Sequence, residues 1–131
     1  SINSYYDVSL KKARLKACGI DLSRQEQEYR STLYPNYTFR QMDLCDKPAL
    51  DALFASRAFD TVINLAAQAG VRYSLEHPET YIDSNVSGFL HILEGCRHHH
   101  IPRLIFASSS SVYGNSTEVP FREDARPERW W

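Results

Sequence analysis

The chain has 131 residues, 43% of them apolar and 24% charged, with a formal net charge of −1. That is the size and composition of one small soluble domain. The near-neutral charge gives no electrostatic case for a nucleic acid or an anionic membrane surface, and no apolar run approaches a membrane-spanning length or follows a charged leader.

The first element is a helix over residues 7–19. Asp7 caps it, Val8, Leu10, Leu15 and Cys18 supply an apolar face, and Gly19 ends it. Residues 20–36 are polar, with a short helix expected near Gln25–Arg30. Tyr37–Met42 alternates and is rich in β-formers, which predicts a strand. Asp46, Lys47 and Pro48 start a second helix with proline in its first turn, running to about Arg57. Thr61–Ala66 is a short apolar run between polar residues and reads as a buried strand. His77 and Pro78 open a long helix that ends around His98–His100, with Ile82, Val86, Phe89, Leu90 and Leu93 expected to be buried. Leu104–Ala107 is the last strand.

Strands alternating with helices predict an α/β fold with a parallel sheet and right-handed crossovers. Ligands of such sheets bind beyond the carboxyl ends of the strands. The three strands should therefore present their tips along one edge, and each tip carries a candidate site. At the first, Asp43 and Leu44 offer a carboxylate and a backbone N–H suited to an adenine edge, whereas Asp46 serves as a helix cap. At the second, Ala66–Gly70 are small enough for a flat ligand to lie against the backbone. Arg72 follows, either as a cation for phosphate or carboxylate or as a solvated side chain. At the third, Ser108–Ser111 stand as four consecutive hydroxyls, either a polar loop or donors held in place by a strand end. No G-x-S-x-G elbow accompanies them, which argues against a serine hydrolase.

Consecutive residues on a helix point in different directions, so His98, His99 and His100 read as a solvated helix end rather than a metal site. His77 and His91 stand alone and read as ordinary structural histidines. The cysteines Cys18, Cys45 and Cys96 are odd in number and form no C-x-x-C pair, which fits reduced thiols and a cytoplasmic location. A start at Ser1 and an end at Trp130 and Trp131 suggest a piece of a longer protein.

Several blocks in order carry a family resemblance: Ile2–Asp7, Leu10–Leu15, Tyr34–Asn36, Asn64–Ser74, Tyr81–Asn85 with Gly88 and Phe89, Ile92–Glu94 with Cys96–His98, and Ala107–Gly114. Together they resemble the extended short-chain dehydrogenases/reductases, the NAD-dependent epimerase/dehydratase family, and within it the UDP-glucuronate 4-epimerase branch. The resemblance covers nearly the whole chain. It implies a partial Rossmann-type parallel sheet with flanking helices, residues 1–131 forming the central part of an NAD-binding domain, and no complete second domain.

The resemblance also implies roles. Asn3 would approach the adenosine ribose of NAD, Asp43 and Leu44 would hold its adenine, Leu65, Ala66, Ala67 and Gln68 would run along it, and Ser84 and Asn85 would meet it. Ser109 would be the catalytic hydroxyl that bonds the sugar hydroxyl being oxidised. Ser110 and Ser111 would line the sugar pocket, with Arg72 near the substrate. Related dehydratases carry Asp-Glu after the catalytic residue as acid and base for water loss. Serines cannot do that work at neutral pH, but they can donate hydrogen bonds to a carboxylate. The implied reaction is therefore epimerisation of UDP-glucuronate through transient C4 oxidation, in a parent expected to be a homodimer that pairs through the helix at 78–98. The family's glycine-rich turn and its Y-x-x-x-K base do not occur in these 131 residues, so the chain alone is expected to be inactive. A UDP-hexose epimerase with a neutral substrate and a non-catalytic nucleotide-binding relic are the alternatives.

Overall fold

A computed structural model of the chain describes residues 2–117 and 119–124. The expectations about Ser1, Trp130 and Trp131 lie outside the described residues. The first helix, α1 (Val8–Ala17), is capped by Asp7, whose carboxylate accepts from the Ser9 amide. Gly19 follows at φ 75°, a left-handed backbone that stops the helix. Its apolar face is only partly covered: Val8, Leu15 and Cys18 are half-buried and Leu10 is exposed.

The short helix expected near Gln25–Arg30 is absent. Tyr29–Arg30 instead forms strand β1, antiparallel to β2 (Thr38–Phe39), with Tyr29 opposite Phe39. The cross-strand aromatic pair, with ring centroids 6.1 Å apart, outweighs the weak helical signal of a polar segment. The strand expected over Tyr37–Met42 is thereby corrected in length and in partner. Only two of its residues pair, and they pair with β1 rather than with the parallel sheet.

Helix α2 (Lys47–Ser56) begins where Asp46 and Pro48 place it, with the Asp46 carboxylate accepting from the Ala49 amide at 3.1 Å. Strand β3 (Val62–Asn64) pairs in parallel with β4 (Leu104–Phe106), Ile63 opposite Ile105. Between them the chain makes α3 (Val71–Glu76) and a continuous helical stretch: α4 (Pro78–Tyr81), a π-helical turn (Ile82–Ser87) and α5 (Gly88–His98). A 3-10 turn over Ser110–Tyr113 follows β4.

The core lies between α2, α5 and the parallel pair. Leu50, Phe54, Ile92 and Cys96 are buried, with Met42, Leu44, Val62 and Leu104 packed around them. This corrects the expected buried face of the long helix. Ile82, Val86, Leu90 and Leu93 are exposed and Phe89 is half-buried. The buried stripe is Gly88, Ile92, Gly95 and Cys96. A π turn, closed by the Gly88 amide on the Asp83 carbonyl, immediately precedes this stripe. Glycines, invisible to a hydrophobic count, let Phe54 come close: a Cβ on Gly95 would stand 2.5 Å from its ring.

Candidate functional site

The strand-end segments converge. After β2, the loop 43–46 is a tight turn in which the Asp43 carboxylate accepts from the Cys45 amide at 2.9 Å. Asp43, Leu44 and Cys45 form one wall of a cavity of about 360 Å³. The wall opposite is Ala66, Ala67 and Gln68 beyond β3, and the helical stretch adds Thr80, Asp83 and Ser84. Asn3 completes it. The lining holds two carboxylates and no cation, a set that accepts hydrogen bonds from hydroxyl and amino groups.

Ala66, Ala67 and Gln68 are also the wall of a second trough, about 670 Å³, which reaches Phe106, Ala107, Ser108 and Ser109 beyond β4. Asn85, Phe89, Tyr81 and Ser74 line it, together with Gly70 and Val71. None of its lining residues is charged. The two cavities share the Ala66–Gln68 segment, just beyond the end of β3.

The shared wall is held by side chains from elsewhere. Asn85 uses both ends of its amide on the Gln68 backbone: Oδ1 accepts from the Gln68 N–H at 2.7 Å and Nδ2 donates to the Gln68 carbonyl at 2.9 Å. The Tyr5 and Tyr81 hydroxyls both donate to the Ala69 carbonyl, at 2.6 and 2.8 Å, and Tyr81 also meets the Gly70 carbonyl. Gly70 sits at φ 103°, and a Cβ there would stand 2.6 Å from the Tyr5 hydroxyl. Desolvation, then the neighbouring Tyr6, Tyr81 and Tyr73, raise the Tyr5 phenol above its ordinary 10.0, so it remains a donor.

Of the residues expected from the sequence, Asn3, Asp43, Leu44, Ala66, Ala67, Gln68 and Ser84 line the first cavity. Asn85 and Ser109 line the trough. Leu65 lines neither and is 74% exposed. Arg72 is exposed on α3 and stands outside both linings, as in the solvated alternative of its two readings. Ser110 and Ser111 are likewise outside both linings, exposed in the 3-10 turn. Ser109 caps that turn: its Oγ accepts from the Ser111 amide at 3.2 Å and donates to the Ser111 hydroxyl at 3.2 Å. Cys45, Asp83 and Tyr81 went unsuspected as lining residues. Only their place beside the tips could have pointed to them.

All three cysteines are free. Burial raises the Cys45 thiol above its ordinary 9.0, reinforced by Asp43 and Asp83. Among the described residues no group of three His, Cys, Asp or Glu side chains is placed to hold a metal, and no helix is long and apolar enough to cross a membrane. His98 faces Glu94 at 3.3 Å and His99 stacks on Phe54.

A family model described as GDP-mannose 4,6 dehydratase matches residues 3–128. Protein CapI of Staphylococcus aureus is 50% identical over 121 residues, which is 92% of this chain and 32% of that protein. UDP-glucuronate 4-epimerase 3 of Arabidopsis thaliana is 41% identical over 130 residues, 98% of this chain and 27% of that protein. The chain thus spans about a third or less of the length of these relatives. Among solved structures, a UDP-glucose-4-epimerase from Stenotrophomonas maltophila, with bound NAD and formylated UDP-arabinopyranose, aligns with a TM-score of 0.60 and 37% identity. The alignment covers 68% of this chain and 26% of that one. With the family model matched almost from end to end and an α/β fold shared with solved epimerases, the chain belongs to the GDP-mannose 4,6 dehydratase family of the NAD-dependent epimerases and dehydratases.

Proposed function

We propose that residues 1–131 are the central part of the NAD-binding domain of a UDP-sugar 4-epimerase, with UDP-glucuronate as substrate. The observation that carries this reading is the pair of cavities that share the Ala66–Gln68 wall, one acidic and one uncharged and hydroxyl-bearing, with Ser109 in the lining of the second.

NAD fits the chemistry of the first cavity. Asp43, Asp83 and Ser84 offer acceptors to the amino and hydroxyl groups of an adenosine, and the lining holds no cation to draw a phosphate in. Asn3 then lies by the ribose, Asp43 and Leu44 by the adenine, and Leu65–Gln68 with Ser84 and Asn85 along the cofactor. When bound, NAD supplies a reversible hydride acceptor for the sugar C4. Ser109 holds the C4 hydroxyl by a hydrogen bond and fixes its orientation. Ser110 and Ser111 donate to the sugar carboxylate, and Arg72 lies on the substrate side. None of these serines can act as acid and base for water loss, so the reading is epimerisation rather than dehydration. Proton abstraction needs a base with a tuned pKa. The 131 residues contain no Y-x-x-x-K, so the reading gives this chain by itself no turnover. A cytoplasmic location and a homodimeric parent complete it. The free thiols support the first, and the exposed Ile82, Val86, Leu90 and Leu93 support the second.

One observation favours a neutral UDP-hexose instead: no cation lines the trough to meet a carboxylate. The test is to read the DNA on both sides of the frame, express the complete protein and follow UDP-glucuronate and UDP-glucose by NMR. The expected result is a preference for UDP-glucuronate of at least about a hundredfold, the worth of one or two charge-assisted hydrogen bonds. Equal turnover of UDP-glucose establishes the neutral-sugar reading. Loss of water from the sugar, or a frame bounded by its own start and stop codons, overturns the epimerase.

A further inference from the structure

The loop that walls the first cavity is fastened to the helical stretch at three points. Cys45 donates its thiol proton to the Asp83 carbonyl across 3.2 Å. Gly88 is buried against Leu44, where an added Cβ would stand 3.0 Å from the Leu44 Cβ. His91, half-buried one turn further along α5, places Nδ1 2.8 Å from the Leu44 carbonyl. A carbonyl only accepts, so Nδ1 carries the proton. Of the three, the imidazole bonds the main chain of the 43–45 loop itself, whereas the Cys45 thiol reaches the main chain of the helical stretch. Leu44 lies between Asp43 and Cys45, so fixing its carbonyl fixes the plane of the peptide that follows and limits where the Asp43 carboxylate can swing. The turn is closed by bonds from the Cys45 amide to the Asp43 carboxylate, from the Asp46 amide to the Asp43 carbonyl and from the Lys47 amide to the Cys45 carbonyl, which are all local and cannot set the loop's distance from the opposite wall.

We propose that His91 is a positioning residue for the first cavity. By holding the Leu44 carbonyl it sets the spacing between the 43–45 loop and the Ala66–Gln68 wall, and with it the affinity for an adenine nucleotide. The proposal rests on the reading of the first cavity as an adenosine site.

The experiment uses the 131-residue chain and ADP as probe, with affinities from isothermal titration. His91→Leu removes the donor. His91→Asn puts an amide N–H close to where Nδ1 stands. Loss of one hydrogen bond of ordinary net strength corresponds to ADP binding about tenfold weaker in His91→Leu. His91→Asn is expected to recover most of that loss, while both variants melt at similar temperatures. ADP binding unchanged in His91→Leu, or no recovery in His91→Asn, overturns the proposal and leaves the adenosine reading standing. No ADP binding by the unaltered chain overturns that reading and the proposal with it. Should His91→Leu not fold, the imidazole tautomer decides: 15N NMR of the unaltered chain is expected to show the proton on Nδ1, and a proton on Nε2 alone overturns the proposal.

Discussion

Asn85 turns both ends of its side-chain amide to one residue, Gln68. One side chain thereby ties down the peptides on both sides of the half-buried Gln68, and the wall it belongs to lines both cavities. Asn85→Ala leaves a donor and an acceptor unpaired. The expected result is a lower urea midpoint for the loss of far-ultraviolet dichroism in Asn85→Ala than in the unaltered chain. An unchanged midpoint means that water replaces the amide without loss. Cys45 offers a second measurement. Its thiol is held above 9.0 by burial first, then by Asp43 and Asp83. A raised thiol pKa leaves less thiolate at any given pH, and the thiolate is the nucleophile. Alkylation of Cys45 by iodoacetamide, followed by peptide mass spectrometry, is expected to rise with pH with its midpoint above 9.0. A midpoint at or below that value contradicts the geometry around the sulfur. Neither role was legible in the sequence. Asn85 stood out in a motif, but the motif does not say which backbone its amide meets, and Cys45 looked like one of three idle thiols.

Elements were legible where a local signal fixed them. Asp46 and Pro48 start α2 because a carboxylate and a missing N–H suit the first turn, and both act within three residues. What escaped was set by partners. Tyr29–Arg30 became a strand because Thr38–Phe39 lies beside it. The buried stripe of the long helix includes Gly88 and Gly95, glycines that no hydropathy sum counts. Gly95 tests that account. A methyl there meets Phe54 at 2.5 Å, within the α2–α5 contact. Alanine is the better helix former by about 1 kcal/mol, yet overpacking a tight contact costs about 1–3 kcal/mol. Gly95→Ala is therefore expected to destabilise the chain, and Gly95→Ala with Phe54→Leu to recover part of the loss in the same denaturation assay. Stabilisation by Gly95→Ala alone means that α2 and α5 stand further apart.

At the scale of the whole molecule, the site was legible because strand order dictates where ligands lie, and two of the three tips do end a common parallel pair. The cover of that pair was not legible. A parallel sheet is normally buried on both faces, but here Ile63 and Ile105, paired across the ladder, are 60% and 55% exposed. Among the described residues only five apolar side chains are buried: Ile20, Leu50, Phe54, Ile92 and Cys96. So small a core opposes the chain's conformational entropy weakly. The 131-residue polypeptide is therefore expected to bind the dye ANS at pH 7 and to unfold in urea with a slope below that of an ordinary domain of its length, about 1–3 kcal/mol/M for small proteins. Far-ultraviolet dichroism and Trp or Tyr fluorescence should give transitions that do not coincide, because α2 and α5 around Phe54 hold longer than β1 and β2. A dye-silent chain with one sharp transition seen alike by both probes would mean that Ile63 and Ile105 are covered in solution. Sedimentation would then show whether a second copy covers them.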